Sequence, residues 1–140
     1  MRFVLRLFAF VVALAVVFFA SIFAASEFGG EVVDIETIDA NGGKHHTHLW
    51  VVDDGGYAWL RAGVPSSSWL LRIDGDPDVH VKRGGVDYHM RAVPVREPAV
   101  RDRIHALMRE KYPFADRLIS VMRDPNGSVP VRLEPVQPAN

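Results

Sequence analysis

A run of nineteen uncharged, mostly apolar residues, 7–25, constrains this chain more than any other feature of its sequence, and Arg2 and Arg6 precede it. As an α-helix this run would be about 28 Å long, close to the hydrocarbon thickness of a bilayer. Large apolar side chains would occupy every face of that helix, and the residues after it form a body too small to cover them all. The run therefore predicts a segment that contacts the lipid bilayer.

This segment could be retained as an anchor or removed as a signal peptide. The apolar run is longer than that of most signal peptides, which favours a retained single-pass anchor over residues 1–26. Ala24 and Ser26 are small enough for cleavage before Glu27, so removal stays an alternative. Basic residues before the run and acidic residues after it predict a cytoplasmic N-terminus and an extracytoplasmic body, periplasmic in a bacterium.

The body, residues 27–136 with a short tail at 137–140, has the size and composition of one globular domain. All 17 acidic residues but only 14 of the 16 basic residues follow residue 26, which gives the body a net charge of −3. That balance argues against a nucleic-acid partner. The chain contains no cysteine, which excludes disulfides, thiolate nucleophiles and Cys-ligated metal centres.

The first half of the body reads as three strands joined by glycine turns. Alternation over 31–39, the apolar-rich stretch 46–53 and the aromatic stretch 57–62 predict the strands. Asn41-Gly42-Gly43 and Asp54-Gly55-Gly56 supply the turns between them. The spacing predicts that these three strands form an antiparallel meander.

The second half combines helices with further strands. One of three serines at 66–68 is expected to cap a short helix that runs through Ile73, and a hairpin over 79–82 and 86–95 follows. An amphipathic helix begins at Pro98 and is broken at Pro113. A shorter apolar stripe and a last strand over 129–136 follow the break; the stripe consists of Phe114, Leu118, Val121 and Met122.

Together these elements predict an α+β fold. We expect a six-stranded antiparallel split β-barrel with a short helix after strand 3 and a helical pair before the last strand. The N-terminal transmembrane helix precedes it.

Several segments resemble the split β-barrel flavin and deazaflavin oxidoreductases, which include nitroreductase-like and quinone-reductase-like proteins of the pyridoxamine-phosphate-oxidase fold. The basic turn and strand at 41–55, Asn-Gly-Gly-Lys-His-His-Thr-His-Leu-Trp-Val-Val-Asp-Asp-Gly, are similar to the first hairpin of that family. Ser-Ser-Trp-Leu-Leu-Arg at 67–72, followed by Asp-Pro-Asp-Val at 76–79, is similar to its loop and helix. Stretches at 84–88, 107–118 and 129–135 extend the resemblance to about 32–136.

The resemblance implies a barrel that is often dimeric and that binds FMN or a deazaflavin coenzyme. In such relatives the cofactor performs the hydride transfer, and the protein binds and orients it. By resemblance, the chain is expected to be a membrane-anchored reductase-like protein that acts on a small electrophile such as a quinone or a nitro compound. A non-enzymatic, membrane-tethered barrel that binds a ligand or partner and has lost the cofactor is the alternative.

The resemblance also implies where the cofactor binds, although it assigns no catalytic residue. The basic turn and the loop before the short helix would hold the phosphate, while the strand after the turn and a tryptophan would border the ring. These requirements select Lys44, His46, Thr47, His48, Trp50, Ser66, Ser67, Ser68, Trp69 and Arg72. They can act together only if stretches 44–50 and 66–72 face each other across a hollow.

The histidines allow a second interpretation. His46 and His48 share one face of a strand and could bind a metal ion, with His45, His80 or His89 as further ligands. No carboxylate-bearing metal motif accompanies them. We therefore interpret these residues as exposed histidines at a strand edge and predict no metal site.

Overall fold

The structure is a computed structural model that describes residues 1–28, 31–122 and 124–136. The chain divides into two compact units, residues 1–30 and residues 31–140. Helix α1, Arg2–Phe28, forms the first unit, and its segment Phe3–Ala20 is long and apolar enough to cross a membrane. A signal sequence has the same length and composition. The short tail, 137–140, lies outside the described residues.

Within residues 31–122 and 124–136, the body is an α+β unit of seven strands, three helices and one 3₁₀ turn. The strands are β1 Val32–Ile38, β2 Lys44–Trp50, β3 Val52–Asp54, β4 Tyr57–Ala62, β5 Asp78–Arg83, β6 Val86–Pro94 and β7 Val129–Pro135. The helices are α2 Ser68–Gly75, α3 Pro98–Lys111 and α4 Pro113–Met122, and the 3₁₀ turn is Pro125–Gly127. The α+β class is confirmed, and so are the short helix before the second hairpin and the helical pair before the last strand, although the short helix follows the fourth strand and not the third.

All seven strands form one antiparallel sheet in the order β2-β1-β5-β6-β7-β4-β3. The hairpin between β5 and β6 turns at Gly84 and Gly85, which have φ of 57° and 79°. Positive φ at two successive positions is the geometry that a tight hairpin needs and that glycine adopts without strain. The curled antiparallel sheet agrees with the predicted split barrel.

The prediction of six strands is wrong, because the stretch expected to form one strand at 46–53 forms two. β2 ends at Trp50 and β3 begins at Val52, and the two strands lie at opposite edges of the sheet. Between them, the carbonyl oxygen of Val51 accepts hydrogen bonds from Tyr112 Oη at 2.7 Å and Lys111 Nζ at 2.9 Å. Because residues at the end of α3 satisfy this carbonyl, strand pairing can be interrupted at Val51 without leaving a buried carbonyl unpaired. Both antiparallel pairings of the predicted meander are present, β1 with β2 and β3 with β4, but the break at Val51 places them at opposite edges of the sheet, and β4 also pairs with β7.

Two apolar clusters hold the body together. Alternate residues of β1, Val33, Ile35 and Thr37, are completely buried on the inner face of the sheet. The buried side of α2 completes this cluster with Trp69, Leu70 and Ile73. On the outer face, α3 covers β3 and β4 in a second cluster of Val52, Trp59, Ile104, Met108 and Tyr112. The outer face of β2 lies beside this second cluster and supplies part of the candidate site.

Candidate functional site

A cavity of about 450 Å³ lies where β2 and β4 meet the helical pair and the turn before β7. This volume is within the range of sites that bind small molecules and cofactors. Its apolar wall comprises Val32, Leu49, Trp50, Gly63, Met108 and Pro125. Its polar wall comprises His48, Arg61, His105, Arg109, Asp116, Asp124 and Ser128.

An aromatic wall closes the β2 side of the cavity. Trp50 packs face to face against Tyr112, with ring centroids 5.3 Å apart and an angle of 19° between the ring planes. Tyr112 itself is buried and hydrogen-bonded, so the stack fixes the orientation of the indole. His48 precedes Trp50 on the same face of β2, because side chains alternate along a strand. The cavity thus has a rigid, flat surface suited to a planar ring.

A buried ion pair lies beneath the cavity. Arg61 Nη2, on β4, lies 2.8 Å from Asp116 Oδ1 on α4, and the two side chains are only 10% and 7% exposed. Buried carboxylates and guanidinium groups are costly unless they are paired, so this pair ties α4 to the sheet. Arg109 approaches the same carboxylate more loosely, with its Nε 3.8 Å from Asp116 Oδ2. Since Arg109 is 71% exposed, it is the cation at the rim that can reach a bound anion.

His105 links this ion pair to the turn before β7. Arg61 donates to its Nδ1 at 2.8 Å, and arginine has no acceptor, so the ring proton of a neutral His105 must lie on Nε2. Nε2 lies 3.0 Å from the Pro125 carbonyl oxygen and also contacts Ser128 Oγ. Burial lowers the pKa of His105, and the nearby Arg61 charge lowers it further. The lowered pKa favours the neutral imidazole of His105, and its basic nitrogen, Nδ1, already accepts from Arg61.

This arrangement does not resemble a serine nucleophile with its base. In such a site the histidine accepts the serine proton, whereas the Nε2 of His105 is the donor nitrogen. The hydroxyl of Ser128 lies 3.1 Å from the Pro125 carbonyl and can donate to it. The polar wall can therefore orient a ligand and supply hydrogen bonds, but its geometry does not generate a nucleophile.

Two of the ten residues predicted to bind a cofactor, His48 and Trp50, line the cavity. Lys44 and His46 lie farther along the same outer face of β2, where Lys44 Nζ is 3.1 Å from Glu36 Oε1 and His46 Nδ1 is 3.1 Å from Asp34 Oδ1. Thr47, the next residue along the chain from His46, faces the other way. The predicted residues on the outer face of β2 therefore form one row, which begins at the cavity with Trp50 and His48 and continues to His46 and Lys44.

The predicted residues of the serine loop and α2 lie elsewhere. Ser67 occupies the N-cap position of α2, yet its hydroxyl donates to the Val64 carbonyl at 2.8 Å and caps no helix N–H. Ser66 and Ser68 are exposed, and Trp69 is buried in the inner cluster. Arg72 Nε donates to Thr37 Oγ1 at 2.7 Å, and Thr37 is the β1 residue that pairs with His45. None of these residues lines the cavity, so their role in cofactor binding stays a prediction.

Sequence reasoning missed most of the polar wall. From the sequence alone, the helical pattern places Arg109 on the solvated side of its helix, together with Arg101 and Arg103. That interpretation suits Arg103, which pairs with Asp54 on the protein surface. One feature of the sequence could have indicated the ion pair. Arg61 lies between the apolar residues Leu60 and Ala62, which are buried, and a partly buried arginine in a strand needs an acidic partner.

Four of the histidines predicted to be exposed at a strand edge lie on the outer face of the sheet: His46, His48, His80 and His89. His45 lies on the other face of β2, where it contacts Asp39. His80 and His89 face each other across β5 and β6, with parallel rings whose centroids are 5.0 Å apart. His46 contacts Asp34 and Glu36. Within residues 1–28, 31–122 and 124–136, no three His, Asp or Glu side chains are arranged to hold a metal ion.

Comparisons with known proteins identify the fold. No protein-family model matches the chain, and no curated protein does. Solved structures do match: an F420-H₂-dependent reductase, FDR-A, has 24% identity and a TM-score of 0.59 over 73% of this chain and 93% of its own. A pyridoxamine 5′-phosphate oxidase candidate from Listeria innocua has 14% identity and a TM-score of 0.60, over 84% and 93% of the two chains.

The heme storage protein HutZ from Vibrio cholerae is a third match, with 14% identity, a TM-score of 0.62 and coverage of 82% and 89%. The body of this chain has the split-barrel fold of these proteins. The suspected relationship to the split-barrel oxidoreductases is confirmed at the level of the fold.

Proposed function

We propose that the chain is a membrane-anchored, reductase-like protein that binds FMN or a deazaflavin coenzyme and reduces a small electrophile such as a quinone or a nitro compound. The observation that supports this best is the cavity beside β2, which combines a fixed aromatic wall, Trp50 on Tyr112, with an exposed cation, Arg109. FDR-A, which shares the fold, is a reductase that depends on F420-H₂.

The proposed cofactor site fits the residues that are present. A ring that lies against Trp50 would have His48 beside it, and its anionic tail could extend over the rim to Arg109 or along β2 to Lys44. When bound, the flavin or deazaflavin supplies the hydride chemistry. The protein residues would orient the ring, and Arg61, committed to Asp116, would keep the wall in place.

Purified full-length protein in detergent tests this proposal directly. We expect it to bind FMN or an oxidised deazaflavin coenzyme with a change in the visible absorption of the cofactor. Arg109→Ala should weaken binding about tenfold, as expected for loss of a hydrogen bond to a charged group. Arg96→Ala is the matched control, because Arg96 is exposed and paired with Asp74 outside the cavity.

A separate double variant tests the prediction that the basic turn and the serine loop bind the phosphate of the cofactor. If Lys44, Ser66–Ser68 and Arg72 hold the phosphate, Lys44→Ala combined with Arg72→Ala should reduce affinity more than Arg109→Ala does. Failure of every cofactor to bind the wild-type protein would contradict the reductase proposal.

We propose the membrane anchor from the apolar helix α1 and the two arginines near its start. The proposed topology has residues 1–6 in the cytoplasm and the body outside. Alkaline phosphatase fused at the carboxyl end should then be active, whereas a green fluorescent protein in the same position should stay dark. The reverse pattern would contradict this topology, and a released, shortened product would indicate a cleaved signal peptide.

A non-enzymatic barrel that binds a ligand or partner is the second candidate. It is favoured by the commitment of Arg61 to Asp116 and His105, which leaves Arg109 as the more loosely held cation in the cavity wall. HutZ, with the same fold, is a heme storage protein. Haem binding with an intense Soret band, without flavin binding, would support this candidate. We also propose that the barrel forms a homodimer, which light scattering in detergent can test.

A further inference from the structure

Helix α4 has an inverted amphipathic character, with a polar side facing the body and an apolar side facing outward. Its Asp116 is buried against Arg61 on the sheet. The apolar stripe noted in the sequence points away: Phe114, Leu118 and Val121 are 68%, 61% and 84% exposed. These three residues, spaced i, i+4 and i+7, form one continuous face of the helix, which we call the α4 apolar face. In the core-facing helices of small globular proteins, such a stripe is normally buried.

The α4 apolar face lies at the end of the body where the chain arrives from α1. Tyr112, one residue before α4, has its Oη 2.9 Å from the carbonyl oxygen of Glu31, and Lys111 Nζ is 2.8 Å from Glu31 Oε2. Glu31 is the third residue after the end of α1 at Phe28. Three residues can span at most about 10 Å. The base of α4 is therefore tied to the residue through which any membrane anchor must hold the body.

We propose that the α4 apolar face docks on the lipid surface of the membrane that holds α1. This proposal rests on the membrane anchor of the proposed function. Phe114, Leu118 and Val121 would enter the boundary between headgroups and acyl chains, as the apolar side of an interfacial helix does. The exposed Arg109 and Arg117 lie on the last turns of α3 and on α4, where they can contact anionic headgroups. Because a short tether would already hold this surface near the bilayer, docking would cost little additional translational entropy.

Docking would also determine how the cavity faces the membrane. The cavity wall includes Val32, next to Glu31, and Asp116, on the buried side of α4. Both lie at the tethered end of the body. An electrophile dissolved in the bilayer, such as a quinone, would then reach the cavity from the lipid and not through bulk water.

The absence of cysteine allows a direct test with single-cysteine variants of the full-length protein. Leu118→Cys, labelled with an environment-sensitive fluorophore, is reconstituted in vesicles of phosphatidylcholine and phosphatidylglycerol. We expect strong quenching by nitroxide-labelled lipid and protection from aqueous iodide. Phe114→Cys should give the same pattern at a second position of the α4 apolar face, so a perturbation specific to one variant can be recognised.

Leu71→Cys is the matched control. Leu71 is a helical leucine of similar exposure, 56%, on α2. Its neighbour Arg72 bonds to Thr37, which lies six residues along the β1 segment from Glu31, or about 20 Å in an extended strand. A label at Leu71 should be quenched by iodide and spared by lipid nitroxides. Leu14→Cys, within α1, reports whether the anchor itself is in the bilayer.

The outcomes separate the two proposals. Lipid quenching at positions 14, 114 and 118 but not at 71 supports docking. Lipid quenching at 14 with iodide quenching at 114 and 118 overturns docking and leaves the anchor intact. Labels at 114 and 118 that are protected from both quenchers, with energy transfer between differently labelled copies, would show that a second copy covers this face and would also overturn docking. Absence of lipid quenching at all four positions overturns both proposals.

Discussion

The hydroxyl oxygen of Tyr112 lies 2.7 Å from the carbonyl oxygen of Val51 and 2.9 Å from that of Glu31. One side chain at the end of α3 thus meets both the start of the body and the point where the chain crosses from β2 to β3. The same ring supports Trp50 in the wall of the cavity. Tyr112 therefore couples the closure of the curled sheet to the geometry of the candidate site.

Tyr112→Phe should destabilise the body without removing the aromatic wall. Loss of one buried hydroxyl that bonds to the backbone is expected to cost about 1–2 kcal/mol. For a domain of this size, that corresponds to a decrease of several degrees in Tm, measured by near-ultraviolet circular dichroism of the full chain in detergent. Tyr57→Phe is the control, because Tyr57 is 39% exposed. An unchanged Tm for Tyr112→Phe would show that water or Lys111 replaces the hydroxyl.

The buried pair of Arg61 and Asp116 gives a second prediction. Asp116→Leu should cost about 3–5 kcal/mol, because it leaves a buried guanidinium without its carboxylate. The double variant Arg61→Met with Asp116→Leu should recover most of this loss, since both charges are removed together. A double-mutant cycle measured by chemical denaturation checks both values. Additive losses in the double variant would contradict the assignment of these residues as a mutually dependent pair.

Elements of the fold could be predicted where the sequence pattern that determines them lies within the element itself. The prediction for β4, 57–62, matches the structure residue for residue, and the break at Pro113 separates α3 from α4 as expected. The separation of β2 from β3 was missed, because Val51 is apolar and lies in a continuous apolar stretch. Its carbonyl is satisfied by Tyr112, sixty-one positions away along the chain. No local pattern contains that contact.

The same limit applies to the candidate site. His48 and Trp50 belong to one strand and could be placed together from alternation alone. Arg61, His105 and Asp116 come from β4, α3 and α4, and they meet only because the helical pair packs against the outer face of the sheet. The sequence contains the charges, but their proximity is a property of the tertiary structure.

His105 predicts a pH dependence of stability. Burial lowers its pKa below the ordinary value of 6.5, and Arg61 lowers it further. Between the folded and unfolded pKa values, the unfolded state binds more protons, so the free energy of unfolding should decrease as pH falls through this window, beginning near pH 6.5. The paired carboxylates Glu31 and Asp53, whose pKa values are lowered by hydrogen bonds from Arg83, lose their contribution only at lower pH, below about 5.

Denaturation titrations between pH 7 and pH 5 can isolate the contribution of His105. His105→Gln should reduce the slope of stability against pH in this range, because it removes the group that binds a proton on unfolding. His89→Gln, on the exposed outer face of β6, serves as the control. An equal slope in wild type and His105→Gln would mean that other groups produce the acid sensitivity.

Trp50 gives the last prediction, which concerns ligand binding. Of the three tryptophans, Trp50 lines the cavity, whereas Trp59 and Trp69 are buried in the two apolar clusters. A flavin that stacks on Trp50 should quench its emission on contact. The fractional quenching should therefore decrease strongly in Trp50→Phe, a variant that keeps an aromatic ring against Tyr112. Trp59→Phe is the control and should retain quenching of the remaining cavity tryptophan. Equal quenching in wild type and Trp50→Phe would place the bound ring away from β2.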